Sequence, residues 1–338
     1  LQALGKHVKF PALLVSDLHL TANPADEYRW ALFPWLWHQL VINKCRTLFI
    51  GGDITDAKDY HGAELVNRLT RAMVQTASHV EQIIINRGNH DYLREGHTFF
   101  EFLNLWPNIR YFTKPADLSA EGESVLLLPY SKNPAQDWAA LSLADYQYLF
   151  MHQTLAGSVS SNGQRMEGDL MPELHRVGKI WSGDIHVPQV IGPVEYIGSP
   201  YPVHFGDSFR GRAVLLDADG KPSNLRFPSI RRMALKVDSL DAIVAQRLSA
   251  KDQVKIELTM TAAEAHEWKA IKRAIIEHVA STGAELHGLS LAIKADRKRV
   301  DAVKHGQAAR TPRGTVLAYV EAEDLGANAL QVGLELLE

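Results

Sequence analysis

Short, mostly apolar runs punctuate the first two thirds of the chain, and most of them break off into a cluster of polar residues. Ala12 to Val15, Thr47 to Ile50, Ile83 to Ile85, Val125 to Leu128, Tyr148 to Met151 and Lys179 to Trp181 read as buried strands. Longer helical stretches separate several of them, for example Asp26 to Leu40 and Gly62 to Thr76. Strand and helix in alternation predict an α/β sheet covered on its faces. The later runs Val194 to Ile197 and Arg212 to Leu216 follow without intervening helices, which predicts a second, more antiparallel sheet.

At 338 residues the chain exceeds one ordinary core, and two domains are expected. Asp217 to Ser229, with Asp219-Gly220-Lys221-Pro222, is turn chemistry and the expected boundary. Beyond it Val254, Ile256, Leu258 and Met260 alternate with polar residues as a half-buried strand. Thr261 and Glu264 have capping-box spacing, and Trp268, Ile271, Ile275 and Val279 recur at helical spacing. Leu289, Leu291 and Ile293 alternate again. The expected division is 1–228, a small α+β domain over 229–312, and an amphipathic helical segment over 313–338. Val316, Leu317, Val320, Leu330, Leu334 and Leu337 would form the apolar face of that segment.

Five polar clusters follow the strand-like runs: Asp17-Leu18-His19, Gly51-Gly52-Asp53, Gly88-Asn89-His90-Asp91, His152, and Gly183-Asp184-Ile185-His186. Ligands of α/β sheets gather at the carboxyl ends of the strands, so side chains distant in sequence can converge there. Taken singly, an Asp-x-His triplet is common by chance, Gly-Gly-Asp is an ordinary turn, and a histidine after an apolar run is more often a hydrogen-bonded core residue. The ordered set of five, each starting where a strand should stop, outweighs those readings. Carboxylate and amide oxygens with imidazoles suit manganese, iron or zinc better than copper. Asp53 is the candidate to bridge two cations ~3.5–4 Å apart, an arrangement that holds both the attacking and the departing oxygen of an in-line displacement. His90 is the candidate general acid or transition-state cation. Asp56 or Asp91 could orient it.

Composition narrows the rest. Cys45 is the only cysteine, which excludes an internal disulfide and a thiolate zinc cluster and fits a reducing cytosol. No apolar run approaches the ~20 residues of a membrane helix, and Leu1 to Phe10 lack the layout of a secretory signal. The expected location is cytoplasmic, with no membrane partner. Lys and Arg number 36 against 39 Asp and Glu, so attraction to nucleic acid would have to come from local patches, cations or a partner. Lys294, Arg297, Lys298, Arg299, Lys304, Arg310 and Arg313 form one basic run, either a solvated face or a contact with DNA phosphates.

The ordered clusters resemble those of the calcineurin-like metallophosphoesterases, over roughly Leu13 to Phe205. Gly51-Gly52-Asp53-Ile54-Thr55-Asp56, Gly88-Asn89-His90-Asp91, Gly183-Asp184-Ile185-His186-Val187-Pro188-Gln189 and Gly198-Ser199-Pro200 are more narrowly similar to the SbcD-like nucleases of DNA repair. The resemblance implies a two-sheet sandwich with flanking helices plus a small α+β capping domain. It implies a manganese-dependent DNA exonuclease and endonuclease subunit, partnered with an SbcC-like coiled-coil ATPase that the C-terminal segment would grip, the alternative being that this segment packs on its own capping domain, and it leaves a homodimer open. One cation would take Asp17, His19, Asp53 and His186, and the other Asp53, Asn89, His152 and Asp184. His90 falls on the catalytic histidine and Asp56 on its supporting residue. The family's last motif reads Gly-His-x-His, whereas Asp184 stands in place of the first His, which would shift preference toward manganese or magnesium. The competing readings are a stand-alone phosphoesterase on nucleotides or phosphoproteins and a binding scaffold without catalysis.

Overall fold

Leu13 and Val15 pack into one hydrophobic cluster while Leu14, between them, packs into another. The same split separates Leu48 and Ile50 from Phe49, and Ile83 and Ile85 from Ile84. Side chains alternate across a strand, so a run that is apolar at every position is one buried on both faces. The protein is described by a computed structural model covering residues 7–58, 60–94, 96–169, 172–261, 264–294 and 311–322, with 331 and 334. Among the described residues there are two large sheets. One has six strands in the order Pro222–Leu225, Ala213–Leu216, Ala12–Val15, Thr47–Ile50, Gln82–Asn86 and Ile109–Phe112. The other has seven, in the order His7–Val8, Ala116–Ala120, Glu123–Leu128, Tyr148–His152, Lys179–Gly183, Val194–Tyr196 and Gln189–Ile191.

The sheets face each other across a shared core in which Leu14, Phe49, Ile84 and Val214 of the first meet Val125, Leu127, Phe150 and Trp181 of the second. Phe49 and Phe150 approach with ring centroids 4.4 Å apart. On the far side of the six-stranded sheet lie the helices Leu32–Ile42 and Ala63–Ala77, contributing Leu36, Leu40, Leu65, Leu69 and Met73. On the far side of the seven-stranded sheet Leu126, Leu128, Leu149 and Met151 pack with Trp138, Leu143 and Leu174. The fold is therefore mixed α/β, a two-sheet sandwich with outer helices.

The late strands do not make a sheet of their own, contrary to the expectation from their lack of helices. Val194–Tyr196 joins the seven-stranded sheet parallel to Lys179–Gly183, and Ala213–Leu216 joins the six-stranded sheet antiparallel to Ala12–Val15. A strand can enter an existing sheet at an edge without a helical crossover when a loop or hairpin delivers it, and sequence spacing does not distinguish the cases.

The Asp219-Gly220 turn closes the hairpin of Ala213–Leu216 and Pro222–Leu225, with the Asp217 carboxylate accepting from the amides of Asp219 and Lys221. The chain divides into two compact units, Leu1–Met233 with Lys251–Gln253, and Ala234–Ala250 with Val254–Glu338. Apart from Arg232, Met233 and Gln253, the smaller unit holds the three-stranded sheet of Arg232–Val237, Gln253–Met260 and Glu285–Ile293, together with the helix Trp268–Ser281. Val254, Ile256, Leu258 and Met260 are buried, as are Ile275 and Val279 of the helix. Thr261 and Glu264 form a reciprocal capping pair, amide to carboxylate at 2.8 Å and amide to hydroxyl at 3.2 Å. A helix spans Pro312–Ala322. Arg297, Lys298, Arg299, Lys304, Arg310, Leu330 and Leu337 lie outside the described residues. Among the described residues, no helix is long and apolar enough to cross a membrane.

Candidate metal centre

The parallel strands of both sheets aim their carboxyl ends at one place. Asp17 and His19 follow Ala12–Val15, Asp53 follows Thr47–Ile50, and Asn89 and His90 follow Gln82–Asn86. His152 ends one strand of the other sheet and Asp184 follows the next, Lys179–Gly183. The first two loops are zipped by backbone bonds, from the amides of Asp17, His19 and Leu20 to the carbonyls of Gly52, Asp53 and Ile54. Asp17, His19, Asp53 and Asp184 all have positive φ, at 56°, 43°, 54° and 83°. Such conformations are costly for residues with a Cβ and concentrate where side-chain direction matters more than backbone comfort. Gly88 lies so close that a Cβ there would collide with the Asp53 carboxylate and the His152 ring.

Three sets of donor atoms converge: Asp17, His19 and His186; His19, Asp53 and His90; and Asp17, Asp53 and His152. The Nε2 atoms of His19 and His186 face each other at 3.0 Å. His152 donates from Nδ1 to the Gly51 carbonyl at 2.6 Å, which leaves Nε2 3.4 Å from Asp53 Oδ1 and 3.7 Å from Asp184 Oδ1. A metal-binding histidine characteristically anchors its other ring nitrogen in this way. Asn89 Nδ2 donates to Asp184 Oδ1 at 3.1 Å, and the Thr154 hydroxyl donates to Asp184 Oδ2. The structure thus brings together all seven residues expected as ligands. Asp184 and Asn89 reach the cluster through their contacts with each other and with His152.

The site fits cations on its own atoms. Asp17 Oδ2, Asn89 Oδ1 and His152 Nε2 are buried without hydrogen-bond partners, an arrangement that is costly unless something else satisfies them. The carboxylates also crowd one another. Burial and then repulsion from Asp53 raise Asp91 to about 6, and burial raises Asp17 to about 6 against the pull of His152. Burial also raises Asp184. Burial opposes charge on Asp53 too, but His152, His19 and His90 together hold it well below the usual range. His152 is likewise raised, since Asp53, Asp184 and Asp17 outweigh its burial. His186 is pushed down to about 3, by burial and then by His19 and His204. Divalent cations would offset this excess of buried negative charge.

His90 converges with His19 and Asp53 but is also tied to the Asp56 loop. Its amide donates to Asp53 Oδ1 at 2.8 Å and its ring lies 4.9 Å from that of His19. Nδ1 donates to the Asp56 carbonyl at 2.7 Å, so Nε2 is the ring nitrogen this bond leaves uncommitted. Asp56 therefore supports His90 through its backbone. Its carboxylate instead stands 3.4 Å from His19 Nδ1, and that contact lowers it to about 2. Asp91 does not orient His90. Its carboxylate accepts from the amides of Gly88, Asp53 and Ile54 at 2.7–2.9 Å and so staples two of the loops together.

Three contributors carry no motif. Arg29 is buried and donates to the His19 and Val203 carbonyls while pairing with Asp26 at 3.1 Å, which locks the His19 loop to the segment after Gly198-Ser199-Pro200. His204 in that segment places its ring 5.5 Å from that of His186. Thr154 holds Asp184. An arginine in a helix reads as a surface charge until the fold is known, and no spacing rule marks the other two.

Residues 10–191 match a family model described as calcineurin-like phosphoesterase. Exonuclease subunit 1 of Enterobacteria phage T4 is 26% identical over 127 residues, 36% of this chain and 37% of that protein. The chain thus covers little more than a third of that relative's length. Among solved structures, Pseudomonas putida nuclease MPE aligns with a TM-score of 0.31 at 16% identity, covering 63% of this chain and 87% of that one. A protein of unknown function from Aquifex aeolicus aligns with a TM-score of 0.31 at 13% identity, covering 57% and 90%.

Proposed function

The chain belongs to the calcineurin-like phosphoesterase family, and from that premise we propose that it hydrolyses phosphodiester bonds of DNA with two divalent cations, manganese being the physiological one. The observation that carries the reading is the convergence of buried carboxylate, amide and imidazole atoms, three of them with no hydrogen-bond partner. One cation would be held by Asp17, His19, Asp53 and His186, the other by Asp53, Asn89, His152 and Asp184. Bound there, the cations supply Lewis acidity toward the phosphoryl group and acidify a water near neutral pH.

The chain's own residues do the rest. His90, fixed through Nδ1, presents Nε2 to the oxygen that departs and stabilises or protonates it. Asp56 holds His19 and His90 through its two different oxygens. Asp184 adds an anionic ligand where the family has a neutral imidazole, which favours harder cations. DNA as substrate is supported by the Gly-Asn-His-Asp and Gly-Ser-Pro segments and by a relative named as an exonuclease subunit. That name also supports a partnered enzyme, which we take to be an SbcC-like coiled-coil ATPase in DNA end processing and repair. The smaller unit would serve as the capping domain.

Incubation with manganese and labelled single-stranded, double-stranded and hairpin DNA, beside a small phosphodiester and a phosphomonoester, tests the reading. Cleavage of DNA and of the small diester is expected. Turnover confined to the phosphomonoester would replace it with a phosphatase acting on nucleotides or phosphoproteins.

A further inference from the structure

Beside the His152 half of the centre the chain builds a wall of aromatic rings flanked by two cations. Tyr130 meets the His152 ring edge-on with centroids 6.4 Å apart, and the Tyr92 ring lies 6.0 Å further on. The Arg87 guanidinium covers Tyr92 at 4.2 Å, and Lys132 Nζ stands 6.0 Å from the same ring. Arg87 is 5% exposed, and its fixed position comes from a hydrogen bond to the Tyr130 carbonyl at 2.5 Å, returned by the Tyr130 amide to the Arg87 carbonyl at 2.9 Å. Neither Arg87 nor Lys132 has an ion-pair partner among the described residues, and Arg87 Nε is buried without a hydrogen-bond partner. A buried guanidinium with no carboxylate to neutralise it is expensive. Tyr130 is half-buried and Lys132 is exposed, so both are open to a ligand that approaches the centre.

We propose that Tyr130 and Lys132 bind the nucleotide next to the scissile phosphate, Tyr130 by stacking on its base and Lys132 by contacting its phosphate, with Arg87 and Tyr92 as positioning residues. The inference rests on the phosphodiesterase reading and adds to it the preference for a nucleic-acid strand over a small diester. Stacked aromatic rings with interleaved cations are how proteins hold single strands without reading sequence, because every base has a face to stack and every nucleotide a phosphate. The base next to the scissile phosphate must then be free to leave its pairing partner, so single-stranded and frayed ends are the substrates such a wall favours.

The wall is tested by binding, apart from hydrolysis. Fluorescence anisotropy of a labelled oligothymidylate in EDTA is measured for the parent, Tyr130→Ala, Tyr130→Phe, Lys132→Ala and Lys132→Glu proteins. Tyr130→Ala is expected to weaken binding roughly 10-fold, while Tyr130→Phe, which keeps the ring, stays within about twofold of the parent. Lys132→Ala should reduce the dependence of log affinity on log salt by about 0.7, the share of one phosphate contact on a single strand. Lys132→Glu should weaken binding further. In the active enzyme, kcat/KM for the oligonucleotide relative to a small aryl phosphodiester should fall with the Tyr130→Ala change. Lys132 is exposed, so its variants report even if Tyr130→Ala fails to fold. Unchanged affinity and salt dependence in the Lys132 variants, or parent-like affinity in folded Tyr130→Ala, overturns the wall. Absence of any diester turnover by the manganese-loaded parent would instead overturn the underlying function, whatever the binding shows.

Discussion

At the scale of single residues, His90 and Asp184 separate chemistry from metal binding. His90 Nδ1 is committed to the Asp56 carbonyl, and its Nε2 is the atom available to the departing oxygen. His90→Asn should therefore lower turnover ~10²–10⁴-fold, the usual contribution of a general acid, with metal content kept. Loss of metal in that variant would make His90 a ligand, as its convergence with His19 and Asp53 would allow. Asp184 is tied to Asn89, Thr154 and His152. Asp184→Ala should weaken one cation selectively, and Asp184→His, which restores the family's imidazole, should keep activity with altered metal preference. Metal stoichiometry and activity across a manganese titration decide this, and two cations bound to Asp184→Ala as tightly as to the parent would remove Asp184 from the ligand set. The sequence marked these two residues because motif chemistry is local. It did not mark Arg29, whose value lies entirely in two carbonyls brought to it by the fold.

At the scale of elements, the centre depends on loops that cross at van der Waals distance. Gly88 lets the loop after Gln82–Asn86 pass against Asp53 and His152, and Asp91 then staples it to the amides of Asp53 and Ile54. Gly88→Ala places a methyl group where the Asp53 carboxylate lies. Overpacking of this kind costs ~1–3 kcal/mol, and here the yielding part is a proposed ligand. Thermal unfolding and metal analysis of Gly88→Ala should show both a lower Tm and reduced metal content, and a variant matching the parent in both would mean the loops can separate freely. Strands were legible because uniformly apolar runs admit few other readings. Val194–Tyr196 and Ala213–Leu216 were legible as strands too, but not in their partners. Pairing is decided by which edge is open in three dimensions, a fact no local pattern carries.

At the scale of the whole molecule, the proposed cation binding would be linked to folding stability. The unfolded chain has no preformed centre, so cations that bind only the folded state raise its stability by about 2.7 kcal/mol at a concentration one hundred times their Kd. The Tm should climb with manganese concentration in the parent and much less in Asp53→Asn, whose neutral amide cannot join two divalent ions. Asp53→Asn should also abolish hydrolysis. An Asp53→Asn protein that gains as much stability from manganese as the parent would deny Asp53 its bridging place. The place where the side chains converge could be anticipated from five clusters at strand ends, and the sandwich only from the family that those clusters resemble. The wall of Tyr130 and Lys132 could not, because it joins residues that only the two sheets together make neighbours.

The left-handed conformations of Asp17, His19, Asp53 and Asp184 reach beyond catalysis. Each strained backbone costs of the order of 1–3 kcal/mol, a large share of the ~5–15 kcal/mol that separates a native domain from its unfolded chain. Glycine at any of them would relieve the strain and delete a donor in the same step. A laboratory population evolved for heat resistance alone would therefore drift toward inactive survivors whose changes collect at these four codons. Engineering a hardier version calls for a screen in which every round also demands turnover.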